Sequence, residues 1–233
     1  MSKVYLRIPE CDPALVLEAS KYSVADLHES MDIMAGRTAL FGPELRPLNA
    51  GVRIAGQAVT AFVYPGDALF AHKAVQLIKA GQVLVVANGG AGPQTMFAEL
   101  VALAVRKAGA AGAIVEGCIR DTVALREMRF PVWSSGVHAA HVNKSGPGSI
   151  NVPIVCAGVR VNPGDIIVAD DDGVICLPPA QVMATIEKAR ARAAREVTIR
   201  AAIDAGTVLF DILNLQAQLE FAGVEEIDGT WMT

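Results

Sequence analysis

Apolar residues follow two rhythms along this chain. In "VRIAGQAVTAFV" (52–63), β-branched residues in partial alternation predict a strand. "QVLVVA" (82–87) and "AAGAIVEG" (110–117) are short, largely apolar runs that also predict strands. Between them the spacing turns helical. "ALFAHKAVQLIKAG" (68–81) predicts an amphipathic helix closed by Gly81. "TMFAELVALAVRKAG" (95–109) predicts another, with Thr95 as a candidate N-cap and Gly109 as its C-cap. Strand, helix, strand, helix over 82–130 makes a βαβα unit, so a parallel strand pair is expected.

The flanks read differently. Residues 13–32 predict helix, with a break near Tyr22-Ser23 and Ser23 opening a second helix. A loop rich in Gly and Pro comes next, ending in "ELRPLNAG" (44–51). After residue 130, "FPVWSSG", "PIVCAGVRV" and "DIIVADDDGVICLP" predict short strands divided by Gly and Pro turns, with "VNPGD" the clearest turn. Residues 179–206 predict one long helix. A last helix over 209–221 carries Leu209, Ile212, Leu213 and Leu219 for docking. No linker, repeat or low-complexity segment interrupts the chain. The expectation is one domain over 1–233, with a core over about 40–180 and a helical arm over about 180–233.

Composition narrows the classes. With 52% hydrophobic and 19% charged residues, a packed core is expected and disorder is not. A formal net charge of −4 argues against a nucleic-acid partner, yet a small anion needs only local positive charge. The four cysteines (Cys11, Cys118, Cys156, Cys176) form no CxxC pair, so they read as buried thiols in a reducing cytoplasm. Residues 1–10 lack the apolar stretch of a signal peptide, and no apolar run is long enough for a membrane span. The expected setting is cytoplasmic, without membrane association.

Candidate chemistry concentrates in the βαβα unit. "NGGAGP" (88–93) is neither a P-loop nor GxGxxG. It is either a permissive turn or a cradle whose following helix offers N–H groups to a carboxylate. Arg120-Asp121 comes after the next strand, at the edge where open parallel sheets bind ligands. By position alone Asp121 is the N-cap of a helix starting at Thr122. Arg120 is harder to explain structurally, because a guanidinium suits a carboxylate or a developing enolate. Glu99, one unit earlier, is either a partner of its helix dipole or part of a shared cation site with Asp121. Asp170-Asp171-Asp172 reads as a hairpin turn. His138 and His141 read as structural or substrate-contacting rather than as metal ligands, since no third ligand is suggested. No GxSxG is present, and none of the seven lysines lies on an apolar strand run.

"ELVALAVRKAGAAGAIVEGCIRD" contains an acidic residue, twenty intervening residues and Arg-Asp. Together with "GSINVPIVCAGVRVNPGDIIVADDDGVICLP", it resembles the RraA-like superfamily. More narrowly, it is similar to the 4-hydroxy-4-methyl-2-oxoglutarate / 4-carboxy-4-hydroxy-2-oxoadipate aldolases, which are class II pyruvate aldolases. The resemblance implies an α/β fold, an α-β-β-α sandwich of the swivelling-domain type with N- and C-terminal helical extensions. It implies a homotrimer or homohexamer with the site at subunit interfaces. Asp121 matches the ligand of Mg²⁺ or Mn²⁺, and Arg120 the arginine on the pyruvyl oxygen. Glu99 matches an acidic position holding a water of the metal's shell. Glu29 and Glu196 match carboxylates that a neighbouring subunit contributes to that shell. Ala98, Glu99 and Leu100 match the backbone segment that binds the substrate carboxylate. Where the family usually shows Gly-Asp, this chain has Ala98-Glu99, and His141 replaces a small residue.

The activity this resemblance implies is retro-aldol cleavage of a 4-hydroxy-2-oxo acid to pyruvate and a second 2-oxo acid, with oxaloacetate decarboxylation beside it. The alternatives are a non-catalytic RraA-type regulator of a ribonuclease, or an enzyme for another 2-oxo or hydroxy acid. The helical extensions carrying Glu29 and Glu196 favour the aldolase branch.

Overall fold

The computed structural model describes residues 2–90, 92 and 94–232. The chain divides into two compact units, Met1–Ala189 and Arg190–Thr233.

The first unit opens with three short helices, α1 (Pro13–Ala19), α2 (Val24–Glu29) and α3 (Ile33–Ala39). The break expected near Tyr22-Ser23 is present. Ser23 and Asp26 form a reciprocal capping box that starts α2. α3 lies in the stretch expected to be loop. Its sequence, "IMAGRTA", is mostly apolar, but Ile33 and Met34 are exposed and only Gly36 and Ala39 are buried, so no one-faced period marks it.

Next come β1 (Arg46–Pro47), β2 (Ile54–Val63), α4 (Leu69–Val75), β3 (Val83–Ala87), β4 (Thr95–Phe97), α5 (Glu99–Lys107), β5 (Gly112–Ile119), α6 (Thr122–Met128) and β6 (Val132–Val137). After them run β7 (Gly148–Ile150), β8 (Ile154–Cys156), β9 (Val159–Val161), β10 (Ile166–Ala169) and β11 (Val174–Leu177). β2, β3, β5 and β6 are parallel neighbours, as the βαβα reading predicts. β10 and β11 continue the sheet antiparallel on the far side of β2, giving the order β1-β6-β5-β3-β2-β10-β11.

Alternation along the strands assigns the two faces. Val59, Ala61 and Val63 of β2 and Leu84 and Val86 of β3 pack with α4, α5 and α6. Ala58, Val83, Val85 and Ile114 face the other way, into a core shared with the β8–β9 hairpin and with Ile167, Ala169, Val174 and Cys176. The opposite face of β10 and β11 is covered by α1, α2 and the start of α7 (Pro179–Asp204). The sheet curls around an inner core with helices outside both walls, which is the expected α-β-β-α arrangement.

Two expectations change here. Residues 95–97 are a strand, and Thr95 caps nothing. All three residues are buried, and β4 pairs with the end of β5. The helix expected over 68–81 ends at Val75 and gives way to turns, with Gly81 N–H donating to Gly109. Local periodicity cannot reveal either, because the competing partners are distant in sequence.

The second unit holds the remainder of α7, α8 (Leu209–Ile212) and α9 (Gln216–Phe221). The single helix expected over 209–221 is split where Asn214 takes φ 52°. Neither α8 nor α9 buries a residue.

Candidate active site

β5 organises the site. Its first half pairs with β3, over Gly112–Val115. Register then shifts around Glu116-Gly117, and β4 takes over the same edge opposite Cys118 and Ile119. Such a bulge bends a strand and re-aims the side chains beyond it. Gly117 has φ 146°, and a Cβ there would stand 2.9 Å from Met96 and 3.1 Å from the Gln94 carbonyl. Arg120 N–H then donates to Phe97 (3.1 Å), so the end of β4 and the end of β5 are joined. That junction sets Ala98-Glu99-Leu100 beside Arg120-Asp121.

Asp121 occupies the N-cap position of α6 but does not cap it. Its backbone is left-handed (φ 59°, ψ 38°), and no N–H of α6 reaches its side chain. The helix-cap reading is thereby corrected. Aspartate tolerates this conformation better than most residues, and such strained positions cluster at functional sites. The carboxylate turns instead towards the preceding unit: Glu99 N–H, at the start of α5, donates to its Oδ2 at 3.4 Å. Arg120 Nε stands 3.8 Å from the same oxygen. Both side chains are partly exposed, so this pair is worth about 1 kcal/mol or less to stability. Arg120 Nη1 also donates to the Ala140 carbonyl at 3.4 Å.

These residues border a cavity of about 110 Å³. Ala98, Leu100, Arg120 and Asp121 line one side, and Ala68, His72, His141 and Lys144 line another. Glu99 is exposed and does not line the cavity; its backbone N–H meets Asp121. Among the described residues no group of three or more His, Cys, Asp or Glu side chains stands together as a metal cluster. The donor chemistry fits a hard divalent cation nonetheless. Asp121 offers an oxygen not committed to its helix, and Mg²⁺ accepts one or two carboxylates with water and substrate completing its shell.

Neither Glu29 nor Glu196 lines this cavity. Glu29 is exposed on α2, which packs on the β10–β11 end of the sheet, away from β5. Glu196 lies in the second unit and pairs with Arg192 (3.1 Å) and Arg200 (3.5 Å) of its own helix. Asp170-Asp171-Asp172 is the expected turn between β10 and β11. Asp170 accepts from Val24 and Asp172 N–H groups, and Asp171 accepts from Gly51 N–H. The four cysteines are free, and burial pushes the thiols of Cys118, Cys156 and Cys176 up.

Glu116 and Asp67 are buried carboxylates that the sequence reading does not single out. Glu116 accepts N–H groups from Asn88 (3.0 Å), Gly89 (3.1 Å) and Ala157 (2.8 Å), anchoring the start of the glycine-rich loop. Of that loop, Ala91 and Pro93 lie outside the described residues. Asp67 binds three further backbone N–H groups. The sequence signal for Glu116 is a charge within an apolar strand, and for Asp67 an aspartate after a Pro-Gly turn, just before a helical run.

The Aldolase/RraA description of the RraA-like family matches residues 24–176, more than half of the chain. The chain belongs to this family. A Halalkalibacterium halodurans protein provisionally named 4-hydroxy-4-methyl-2-oxoglutarate aldolase is 36% identical over 163 residues, covering 70% of this chain and 77% of its own length. A Burkholderia multivorans protein with the same provisional name is 35% identical over 152 residues, covering 65% and 92%. Among solved structures, Streptomyces coelicolor RraAS2, described as an unusual member of the RNase ES inhibitor RraA family, aligns with a TM-score of 0.74. The two share 26% identity, over 83% of this chain and 99% of that one.

Proposed function

We propose that this protein is a divalent-metal-dependent pyruvate aldolase that cleaves a 4-hydroxy-2-oxo acid of the 4-hydroxy-4-methyl-2-oxoglutarate or 4-carboxy-4-hydroxy-2-oxoadipate type. One observation carries the reading. Asp121's carboxylate is turned away from its own helix and stands beside Arg120 and the start of α5, at a cavity. The names of the Halalkalibacterium and Burkholderia relatives support the same activity.

Mg²⁺ or Mn²⁺ held by Asp121 would supply Lewis-acid polarisation of the 2-oxo acid. Backbone N–H groups of Ala98–Leu100, at the positive end of α5, bind the substrate carboxylate. Glu99, together with Glu29 and Glu196 from a neighbouring subunit, orients the water that takes the proton of the C4 hydroxyl. The C3–C4 bond breaks, its electron pair passes to the C2 oxygen as an enolate, and the second 2-oxo acid leaves. Arg120 holds the enolate oxygen, and protonation at C3 completes pyruvate. Oxaloacetate reaches the same enolate by losing CO₂, so decarboxylation accompanies the aldolase reaction.

The test is pyruvate release, coupled to lactate dehydrogenase, from a panel of 4-hydroxy-2-oxo acids. Arg120→Ala and EDTA each lower it by roughly 10²-fold or more. Unchanged release in both would sink the mechanism. The description of RraAS2 favours a second reading, a ribonuclease regulator. Pull-down of a ribonuclease by a protein that releases no pyruvate would establish it.

A further inference from the structure

We propose that a second cavity, between α3 and the β8–β9 hairpin, binds a free α-amino acid with an apolar side chain. Asp165 takes its ammonium group and Arg160 its carboxylate. No residue lines both this cavity and the one at Arg120-Asp121, so the inference stands apart from the aldolase reading.

The cavity follows from two elements that do not close on each other. Alternation along β8 and β9 sends Ile154, Cys156, Val159 and Val161 into the core. Val155 and Arg160 are register partners on the opposite, exposed face of the hairpin, and both line the cavity. α3 buries only Gly36 and Ala39, and a space of about 470 Å³ remains beside it. Small-molecule sites typically span about 300–1,000 Å³. Met31, Ala35, Ala39 and Val155 give the cavity an apolar wall.

Arg160 and Asp165 are the charged residues of the lining. Asp165 is 5% exposed. Its Oδ2 accepts Asn162 N–H at 2.8 Å, Asn162 Nδ2–H at 3.1 Å and the Cys176 thiol at 3.7 Å. Burial and the Asp165 carboxylate push that thiol up, so it stays a neutral donor. Oδ1 accepts from no donor among the described residues. A buried carboxylate is costly unless both oxygens meet donors. Asn162 also fixes the positive charge. Its Oδ1 accepts Arg160 Nε at 3.3 Å, and Arg160 makes no ion pair among the described residues. One amide therefore holds the two charges a short distance apart. An α-amino acid carries both of its own charges on a single carbon. A simple anion would be repelled by Asp165 and a simple cation by Arg160, whereas a ligand with both signs satisfies each.

The test is calorimetry on the whole protein without added metal. L-Leucine is compared with 4-methylpentanoate, which lacks the ammonium group, and with 3-methylbutylamine, which lacks the carboxylate. Leucine binds, and each analogue binds at least about tenfold more weakly. Arg160→Gln and Asp165→Asn each weaken leucine binding about tenfold. Arg160 is exposed, so its variant keeps the test valid should Asp165→Asn fail to fold. Arg120→Ala binds leucine as the unaltered protein does. Three results would overturn the proposal. One is no binding of leucine, methionine or phenylalanine at millimolar concentration. Another is analogues that bind as tightly as leucine. The last is leucine binding that depends on Arg120 rather than on Arg160.

Discussion

Asp121 illustrates how one residue can be misread from its neighbours. Aspartate directly before a helix is the usual N-cap, worth about 1 kcal/mol. Here a left-handed backbone carries the carboxylate off α6 and towards α5. The two roles separate under mutation. Asp121→Asn keeps a side chain that tolerates positive φ and removes the charge, so unfolding free energy changes by about 0.5 kcal/mol or less. Pyruvate release falls by roughly 10²-fold. Urea titration alongside the coupled assay checks both. A loss near 1 kcal/mol with activity retained would return Asp121 to the cap. Glu116 and Asp67 were invisible for a related reason. All but one of their partners are backbone N–H groups 27 to 79 positions away, and no local pattern encodes such bonds.

At the level of elements, the long apolar runs told most. β2, β3 and β5 lie where β-branched and apolar content predicts, and their parallel pairing comes from the helices between them. β4 did not, because "TMF" is too short to show a period and runs straight into a helical pattern. Its strand state comes from pairing with β5 beyond the bulge. Gly117 is the hinge of that arrangement. Gly117→Ala adds a methyl against Met96 and the Gln94 carbonyl at a φ that L-residues avoid, and costs about 1–3 kcal/mol. It also displaces β4, so activity falls further than the stability loss accounts for. Thermal unfolding and kcat/KM, measured below the transition, separate the two effects. Activity surviving in proportion to folded protein would show that β4 does not position the site.

For the whole molecule, the first unit by itself leaves Glu29 away from Arg120-Asp121. Glu29 sits at the β10–β11 end of the sheet and Glu196 in the second unit. Leu100 and Val123, at the N-terminal starts of α5 and α6, are 77% and 68% exposed. An interface between copies, which the family resemblance implies, would bring Glu29 to a neighbour's site and cover Leu100 and Val123. The expectation is a light-scattering mass that is a multiple of 24.4 kDa. Mixed oligomers test the shared site directly. Arg120→Ala and Glu196→Gln are each inactive alone. Co-expressed in equal amounts, they restore roughly a quarter of the activity, because some sites draw Arg120 and Glu196 from different intact copies. Absence of any recovery, with mixed oligomers demonstrated, would mean that Glu196 does not serve a neighbour's site.

Sequence alone determined the α/β class, the parallel βαβα unit, the capped start of α2, the acidic turn before β11 and the family. Each depends on signals within a few residues or on a motif with fixed spacing. Tertiary structure decided which way Asp121 faces, that β4 exists, and which buried carboxylates hold the cavity's loops. Those outcomes depend on backbone conformation and on hydrogen bonds between distant segments. They exist only where the fold brings distant segments together, β4 to β5, Asp67 to Ser145 and Glu116 to Ala157.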